Sequence, residues 1–337
     1  MEKVVILGAG SWGTALGLML GAFGRPVVIW DHRRERAAET EAARENKRYL
    51  PGVKFPGNVH VTADEEGLLE KVNYVLLSVP SQELRTVVRR FTTQLTDKTI
   101  LINTAKGIEI KSGMRLSEVI KDEILGKFHK NIVVLSGPTH AEEVAIGMPS
   151  TIVAAGDPAK AKKVQKLMTN DRFRVYINDD VMGVELGAAV KNCLAIGAGI
   201  SDGLGFGDNT KASIITRGVA EMVRYGKAMG ARETTFSGLT GIGDLVVTCT
   251  SRHSRNRHVG ERLGKGEKID KILADMVMVA EGVPTVKAIY ESAKKLGVSM
   301  PLIDGVYAVI YKNADPRNVV SDLMRRSTKE EFYERKG

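Results

Sequence analysis

The sequence predicts a two-domain α/β protein, in which a parallel β-sheet with crossover helices comes before an all-helical domain. Short β-branched runs alternate with helical patterns from residue 1 to about residue 175, which is typical of successive βαβ units. After about Asn178 the pattern changes to long amphipathic helices between glycine-rich or proline-marked turns. We therefore predict a sheet domain over residues 1–178 and a helical domain over residues 179–337.

The eight predicted strands include several runs that are apolar throughout, as expected where helices cover both faces of a sheet. These strands are Lys3–Leu7, Val27–Trp30, Val59–Thr62, Tyr74–Val79, Thr99–Asn103, Ile132–Leu135, Thr151–Ala155 and Arg174–Ile177. The long helices predicted in the second domain are Val181–Ser201, Thr210–Met229, Pro284–Leu296 and Leu302–Tyr311, with a short helix after Pro316. The sequence has no low-complexity linker, so we expect the domains to pack tightly around a ligand cleft.

Composition and charge narrow the classes of function. The 337 residues are 43% hydrophobic and 26% charged, and no run approaches the roughly 18 uncharged apolar residues of a membrane span. A predicted strand begins within the first four residues and leaves no room for a signal peptide. We therefore expect a soluble, cytoplasmic protein in which Cys193 and Cys249 are reduced.

The net charge indicates the class of ligand. The formal charge of +9 comes from basic residues that are scattered along the chain, and aromatic residues make up only 5% of it. Nucleic-acid binding usually needs clustered basic residues, so these observations favour phosphorylated small molecules as ligands.

A glycine-rich loop predicts a dinucleotide site. Gly8, Gly10 and Gly13 lie between the first predicted strand and the helical stretch Thr14–Phe23. In a dinucleotide-binding βαβ unit, the first two glycines permit a tight turn and a close approach of the backbone to a pyrophosphate, and the third lets the helix pack on the strand. The helix N-terminus adds free N–H groups and a positive dipole end. The loop therefore predicts a Rossmann-type domain that binds NAD or NADP.

The residues after the second predicted strand leave the choice of cofactor open. Asp31 follows Gly13 by 18 positions and would suit the ribose 2′-hydroxyl of NAD. His32, Arg33 and Arg34 come directly after it and would neutralise the additional phosphate of NADP. Arg34 is also typical of a solvated helix start, so Arg33 is the side chain that we expect to contact the phosphate.

Six segments together indicate a family. The segment Gly187–Gly199, GAAVKNCLAIGAG, closely resembles the signature of the NAD(P)-dependent glycerol-3-phosphate dehydrogenases. Five more segments fit the same family in the same order: Asn103–Gly107, Ser136–Ala141, Gly241–Leu245, Ser254–Arg257 and Val279–Gly282. The resemblance implies a helical domain like that of 6-phosphogluconate dehydrogenase. It also implies an oxidoreductase that interconverts sn-glycerol 3-phosphate and dihydroxyacetone phosphate with NAD(P)H and supplies glycerol 3-phosphate for phospholipid synthesis.

The same resemblance implies which residues bind each ligand. By motif position, the dinucleotide contacts are Ser11, Trp12, His32, Arg33, Lys106, Ala141, Arg255, Val279 and Glu281, in addition to the loop glycines. The implied contacts to glycerol phosphate are Lys106, Gly137, Thr139, Lys191, Asp244, Ser254, Arg255 and Asn256. An arginine fork beside neutral donors is the arrangement that a phosphate requires.

Hydride transfer from a secondary alcohol needs a base for the hydroxyl proton, and the reverse reaction needs an acid. Lys191 lies in an apolar helical stretch, where desolvation and a second cation at Lys106 would lower its pKa toward neutrality. Lys106 would polarise the C2 oxygen or bind substrate. Asp244 would orient Lys191, bind a substrate hydroxyl or cap the following helix. Asn192 and Thr248 are further polar candidates.

Two alternatives remain open. A β-hydroxyacid or phosphogluconate dehydrogenase would also use a lysine on a helix after a Rossmann domain, although the Lys191 segment disfavours it. A non-catalytic dinucleotide sensor is disfavoured because both lysines and the basic run are present. We predict no metal site, since His253 and His258 lack a cluster of cysteines or carboxylates nearby. The sequence is compatible with a homodimer.

Overall fold

One sheet of eight strands forms the first part of the chain. The computed structural model describes residues 2–328, 330 and 331, so the predicted end of the helical domain, residues 332–337, lies outside the described residues. The strands are β1 (Val4–Leu7), β2 (Val27–Trp30), β3 (Val59–Thr62), β4 (Tyr74–Leu77), β5 (Ile100–Asn103), β6 (Ile132–Ser136), β7 (Ser150–Gly156) and β8 (Phe173–Asn178). Their order across the sheet is β3-β2-β1-β4-β5-β6-β7-β8, whose first six strands follow the dinucleotide-binding order.

Helices cover both faces of this sheet. They are α1 (Ser11–Ala22), α2 (Arg34–Ala43), α3 (Leu84–Phe91), α4 (Leu116–Glu123), α5 (Ala141–Ala145) and α6 (Pro158–Met168). Val4 and Ile6 of β1 belong to one apolar core, whereas Val5 and Leu7 belong to another. Because side chains alternate between the faces of a strand, a strand that is apolar throughout supplies both cores. The predicted continuous runs have this origin.

The last two strands differ from the predicted parallel arrangement. β1 to β6 are parallel, but β7 is antiparallel to β6, with Val134 opposite Ala155, and β8 is parallel to β7. The connection from β6 to β7 contains one helix, the five-residue α5. An apolar strand has the same side-chain pattern in either direction, so the sequence pattern does not specify which way β7 runs.

The second part of the chain is helical, as predicted. Its helices are α7 (Val181–Gly203), α8 (Asp208–Ala228), α9 (Glu233–Phe236), α10 (Asp244–Thr250), α11 (Arg255–Gly264), α12 (Ile269–Ala274), α13 (Gly282–Lys295), α14 (Pro301–Lys312) and α15 (Pro316–Met324). The predicted long helices agree with α7, α8, α13 and α14 to within two residues at each end, and α15 follows Pro316. The prediction did not include α9, α11 and α12, which are too short to show a clear helical period.

Helix α7 lies at the centre of this part and packs against α8, α10, α11, α13 and α14. It is long and apolar enough, by length and composition, to cross a membrane, with a mean hydropathy of 1.3. However, 83% of that apolar window is buried inside the protein. The window therefore fits the core helix of a folded domain. Cys193 and Cys249 are free and buried, in agreement with the prediction of reduced thiols.

Helices α7 and α11 cross closely because glycines face each other at the crossing. A Cβ atom at Gly199 would lie 2.0 Å from the Arg257 carbonyl oxygen, and one at Gly260 would lie 2.0 Å from the Ile196 carbonyl oxygen. No side chain fits at such distances, so only glycine permits this approach of the two backbones. The crossing fixes the beginning of α11, where Arg255 lies, against the side of α7.

A buried ion pair joins the sheet to α7. Glu185 of α7 accepts hydrogen bonds from the Arg115 guanidinium at 2.7 Å, from the Ser117 backbone N–H at 2.7 Å and from the Ser117 hydroxyl at 2.6 Å. Burial raises the pKa of Glu185, and the positive charge of Arg115 opposes that shift. This contact fixes α7 against the beginning of α4.

Candidate active site

The loop after β1 has the geometry of a tight dinucleotide-type turn. Gly8 has a φ of 117°, which a residue with a side chain rarely adopts. A Cβ atom at Gly13 would lie 2.0 Å from the Gly8 carbonyl oxygen, whereas one at Gly10 would have no protein atom within 4 Å. The outer two glycines therefore permit the turn, and Gly10 leaves the backbone open to a ligand.

A cleft of about 340 Å³ lies between this loop and the helices α7, α10 and α11. It lies at the carboxyl ends of the parallel strands, because Gly8, Ser78 and Thr104 directly follow β1, β4 and β5. This edge, where the strand order reverses, is the ligand-binding edge of open α/β sheets. The predicted residues that line it are Gly8, Gly10, Ser11, Trp12, His32, Arg33, Lys106, Thr139, Ala141, Lys191, Ser254, Arg255, Asn256, Val279 and Glu281.

Three predicted site residues lie behind this lining. Gly13 packs behind the glycine turn. The Gly137 carbonyl oxygen accepts a hydrogen bond from the Lys106 amine at 3.0 Å. Asp244 is 1% exposed and lies beneath the two lysines. These residues shape the cleft or position other side chains in it.

Two lysines share one buried carboxylate at the floor of the cleft. Lys191 Nζ lies 3.0 Å from Asp244 Oδ1, and Lys106 Nζ lies 2.7 Å from Asp244 Oδ2. Lys191 also donates to the Thr248 hydroxyl at 2.8 Å, and Thr248 donates to the Asp244 backbone carbonyl at 2.6 Å. Lys106 lies in the loop after β5, whereas Lys191 and Asp244 lie in helices α7 and α10. The cluster therefore connects the sheet part of the chain to the helical part.

Burial controls the ionisation of this cluster. It lowers the pKa of Lys191 to about 8, where the nearby positive charge of Lys106 acts in the same direction and Asp244 opposes it. Burial alone would raise the pKa of Asp244, but the two ammonium groups outweigh it and lower that pKa below its usual value. Asp244 is therefore a carboxylate, and Lys191 can exchange a proton near neutral pH.

Asp244 does not cap a helix with its side chain. It is the first residue of α10, whose N-terminal cap is Gly243, and both carboxylate oxygens contact lysine amines. Of the three roles considered for Asp244, the geometry favours orientation of Lys191.

The basic run at the beginning of α11 faces the same cleft. Ser254 caps α11 by accepting from the Arg257 backbone N–H. Arg255 donates to the Val279 carbonyl at 3.1 Å, and burial lowers its pKa. Asn256 donates to the Asn192 side-chain oxygen at 2.9 Å and accepts from a backbone N–H. Several of these polar groups therefore have protein partners already.

Asp31, one of the two candidates that the sequence offers for the cofactor's 2′ position, is not among the residues that line the cleft. It is 1% exposed, and the Arg36 guanidinium donates to both of its carboxylate oxygens. The Arg33 backbone N–H also donates to it at 2.9 Å. Arg36 and Arg33 line the cleft instead. The arginine on the first turn of α2 therefore neutralises the aspartate, an ion pair that the sequence pattern did not indicate.

Glu281, an expected dinucleotide contact, lines the cleft. Its carboxylate also binds Ser81, which lies in the segment after β4. The Ser81 backbone N–H donates to it at 3.0 Å, and the Ser81 hydroxyl donates to its other oxygen. Burial raises the pKa of Glu281. Its clearest role in the structure is to join the sheet to the beginning of α13.

The sequence analysis did not predict several of the residues that line the cleft. These are Arg36, Tyr49, Ser78, His140, Glu142 and His253. His140 lies inside the Ser136–Ala141 segment and His253 lies beside the basic run, so their positions within the motifs were the available signal. The described part of the chain has no group of three or more His, Cys, Asp or Glu side chains able to hold a metal ion.

The glycine turn opens onto a buried amine with a lowered pKa, and together these features define a nicotinamide-dependent oxidoreductase. The family model for the NAD-dependent glycerol-3-phosphate dehydrogenase N-terminus matches residues 3–162, and the model for its C-terminus matches residues 180–321. The chain belongs to the NAD-dependent glycerol-3-phosphate dehydrogenase family.

Relatives cover the whole chain. It is 49% identical over 333 residues to a glycerol-3-phosphate dehydrogenase [NAD(P)+] of Chlorobium phaeobacteroides, covering 98% of this chain and 100% of the relative. It is 47% identical to that of Lysinibacillus sphaericus, covering 100% of both. A crystal structure of glycerol-3-phosphate dehydrogenase from Coxiella burnetii is similar, with a TM-score of 0.91, 37% identity, and coverage of 96% of this chain and 99% of that one.

Proposed function

We propose that this protein interconverts sn-glycerol 3-phosphate and dihydroxyacetone phosphate in the cytoplasm, and that it supplies glycerol 3-phosphate for phospholipid synthesis. The observation that supports this most is the buried lysine pair on Asp244, which faces both the glycine turn and the basic run of α11. A small phosphorylated substrate would extend from the amines to that run.

The residues of the cleft fit a nicotinamide dinucleotide. Gly10 leaves the turn open, and the free N–H groups at the beginning of α1 face the position of a pyrophosphate. The indole Nε1 of Trp12 is buried without a hydrogen-bond partner among the described residues, which a bound ligand would satisfy. Ser11, Arg33 and Arg36 would contact the rest of the dinucleotide. When bound, the cofactor supplies or accepts the hydride.

The chain's own residues would move the proton. Lys191 would donate a proton to the C2 oxygen during reduction and accept it during oxidation, and its pKa of about 8 suits both directions. Lys106 would donate a hydrogen bond to the same oxygen and stabilise negative charge on it. Asp244 would orient both amines. Lys191 also donates to Thr248 and Lys106 also donates to the Gly137 carbonyl, so each ammonium group has one N–H left to face the substrate.

The beginning of α11 would bind the phosphate. Arg255 provides a permanent charge with several donors, and Asn256 provides one remaining amide N–H. Thr139 lies across the cleft with a hydroxyl that would add another contact. We also propose that the two domains meet between residues 178 and 179, between the end of β8 and the beginning of α7.

The test is turnover of dihydroxyacetone phosphate, followed by nicotinamide absorbance and compared with a panel of β-hydroxyacids and 6-phosphogluconate. We expect turnover of dihydroxyacetone phosphate with NADH and with NADPH. Preference for a hydroxyacid would instead assign the chain to another reaction on the same architecture. Binding of NADH without turnover of any substrate would point to a dinucleotide sensor.

A further inference from the structure

We propose that His140 donates a hydrogen bond to the phosphate of the substrate and so helps to select phosphorylated substrates. This proposal rests on the function proposed above. His140 lines the cleft, and its Nε2 atom is buried with no hydrogen-bond partner among the described residues. A buried polar atom without a partner costs free energy, and a native fold rarely leaves one without a ligand or water.

The surroundings of His140 favour an anion. The charged groups that act on it are Lys191 of α7, Lys106 after β5, Asp244 of α10 and Glu142 of α5. Asp244 is already shared by the two amines. Burial, and next to it the positive charge of Lys191, lower the pKa of His140. The imidazole is therefore neutral at neutral pH and can offer one N–H as a donor.

The position of His140 selects the substrate phosphate rather than another anion. Its ring centroid lies 5.8 Å from that of His253, the residue directly before the Ser254–Arg257 run. The positive charges of Lys191 and Lys106 both lower its pKa. His140 therefore lies close to the residue that precedes the proposed phosphate-binding run, and it feels the charge of the amine that would transfer the proton.

The experiment compares His140→Phe and His140→Gln with the unaltered enzyme. Phenylalanine keeps a flat ring of similar size but has no donor, whereas glutamine restores an N–H group. We expect His140→Phe to raise the KM for dihydroxyacetone phosphate about tenfold, with kcat changed less than about twofold, as for one lost hydrogen bond to a charged group. His140→Gln should recover much of this loss. His129→Phe, outside the cleft, is the matched control.

Three further measurements separate the effect on the phosphate from effects on the rest of the substrate and on the cofactor. The inhibition constant of inorganic phosphate should rise by the same factor as the KM, while turnover of unphosphorylated dihydroxyacetone and the KM for NADPH should stay unchanged. An equal loss for dihydroxyacetone, a changed KM for NADPH, or an unchanged inhibition constant would overturn the proposal.

Failure of the proposed function would look different. If the unaltered enzyme did not reduce dihydroxyacetone phosphate, that function would be wrong, whatever the variants did. Calorimetric titration of the unaltered and His140→Phe proteins with inorganic phosphate would still test the assignment of His140. Weaker binding by His140→Phe would support it, and equal binding would refute it.

Discussion

At the scale of single residues, the proposed chemistry depends on the amine of Lys191. Its side chain is 6% exposed, and the carboxylate of Asp244 keeps it charged despite its burial. A lysine whose pKa lies close to neutral pH can serve as the acid in one direction of the reaction and as the base in the other. Two predictions follow from this single group.

Replacing Lys191 with Met should remove the acid and base while keeping an unbranched side chain of similar length. We expect turnover to fall by about 10²–10⁴-fold, with the dissociation constant of NADH nearly unchanged. Steady-state turnover and a fluorescence titration with NADH measure the two quantities. Near-normal turnover would show that another group transfers the proton.

The pH dependence of the reaction should follow the same amine. Reduction requires the ammonium form, so its kcat/KM should fall as the pH rises through about 8, whereas oxidation should gain rate over the same range. Asp244→Asn removes the charge that favours the ammonium form, so the fall in reduction should move to lower pH by about one unit or more. A profile that keeps its midpoint in Asp244→Asn would show that another group titrates.

Arg33 is the residue at which cofactor choice is expected to be decided. Asp31 would have repelled a 2′-phosphate, but its charge is paired with Arg36, which leaves Arg33 in the cleft to contact that phosphate. We expect both cofactors to work and Arg33→Ala to lower kcat/KM for NADPH more than for NADH. The ratio of the two constants before and after substitution measures this. A constant ratio would exclude contact between Arg33 and the phosphate.

At the scale of elements, the crossing of α7 and α11 brings the proposed phosphate site next to Lys191, the proposed acid and base. Both helices carry glycines at the crossing, and the distance between their backbones depends on them. The chemistry at Lys191 and the binding at Arg255 are therefore linked through the packing of two helices.

Gly199→Ala should disturb this crossing. Its Cβ would lie 2.0 Å from a backbone oxygen of α11, whereas a Cβ at Gly197, on the same helix, would lie 3.2 Å from a Val306 methyl group. A side chain can move and a helix backbone cannot move cheaply, so Gly199→Ala should lose about 1–3 kcal/mol of stability and Gly197→Ala distinctly less. Denaturant unfolding and the KM for dihydroxyacetone phosphate measure the effect. Equal stability of the two variants would contradict the close crossing.

At the scale of the whole molecule, the cleft exists only where the sheet and the helices meet. Lys106 comes from the loop after β5, whereas Lys191 and Asp244 come from the helices of the second part. The ion pair of Arg115 with Glu185 fixes α7 against the beginning of α4, one of the helices that cover the sheet. The orientation of the Lys191 amine therefore depends on contacts away from the cleft.

Glu185→Ala should leave Arg115 with Glu118, at 2.6 Å, as its remaining carboxylate partner. We expect a loss of about 1–3 kcal/mol in the free energy of unfolding, because the buried donors of Arg115 and Ser117 lose the acceptor that they share. The double variant Arg115→Met, Glu185→Leu should recover most of it, since an apolar pair avoids that cost. Denaturant unfolding of all three proteins measures both steps. A single variant as stable as the unaltered protein would show that the pair does not stabilise the junction.

The sequence by itself determined the local features. Continuous apolar runs predicted the strands, because strands covered on both faces need apolar side chains on each. The glycine loop predicted the dinucleotide turn, because only glycine permits its backbone. The motif around Lys191 indicated the family, which the matches over residues 3–162 and 180–321 confirm.

Only the tertiary structure showed which side chains pair with each other and in which direction each strand runs. Lys106 and Asp244 are 138 positions apart in the chain and 2.7 Å apart in space, and no local pattern specifies such a contact. The sequence pattern also did not predict the pairing of Asp31 with Arg36 or the antiparallel direction of β7. The physical reason is common to all three: hydrophobic periodicity reports which face of an element is buried, but the partner across that face is set by packing of the whole chain.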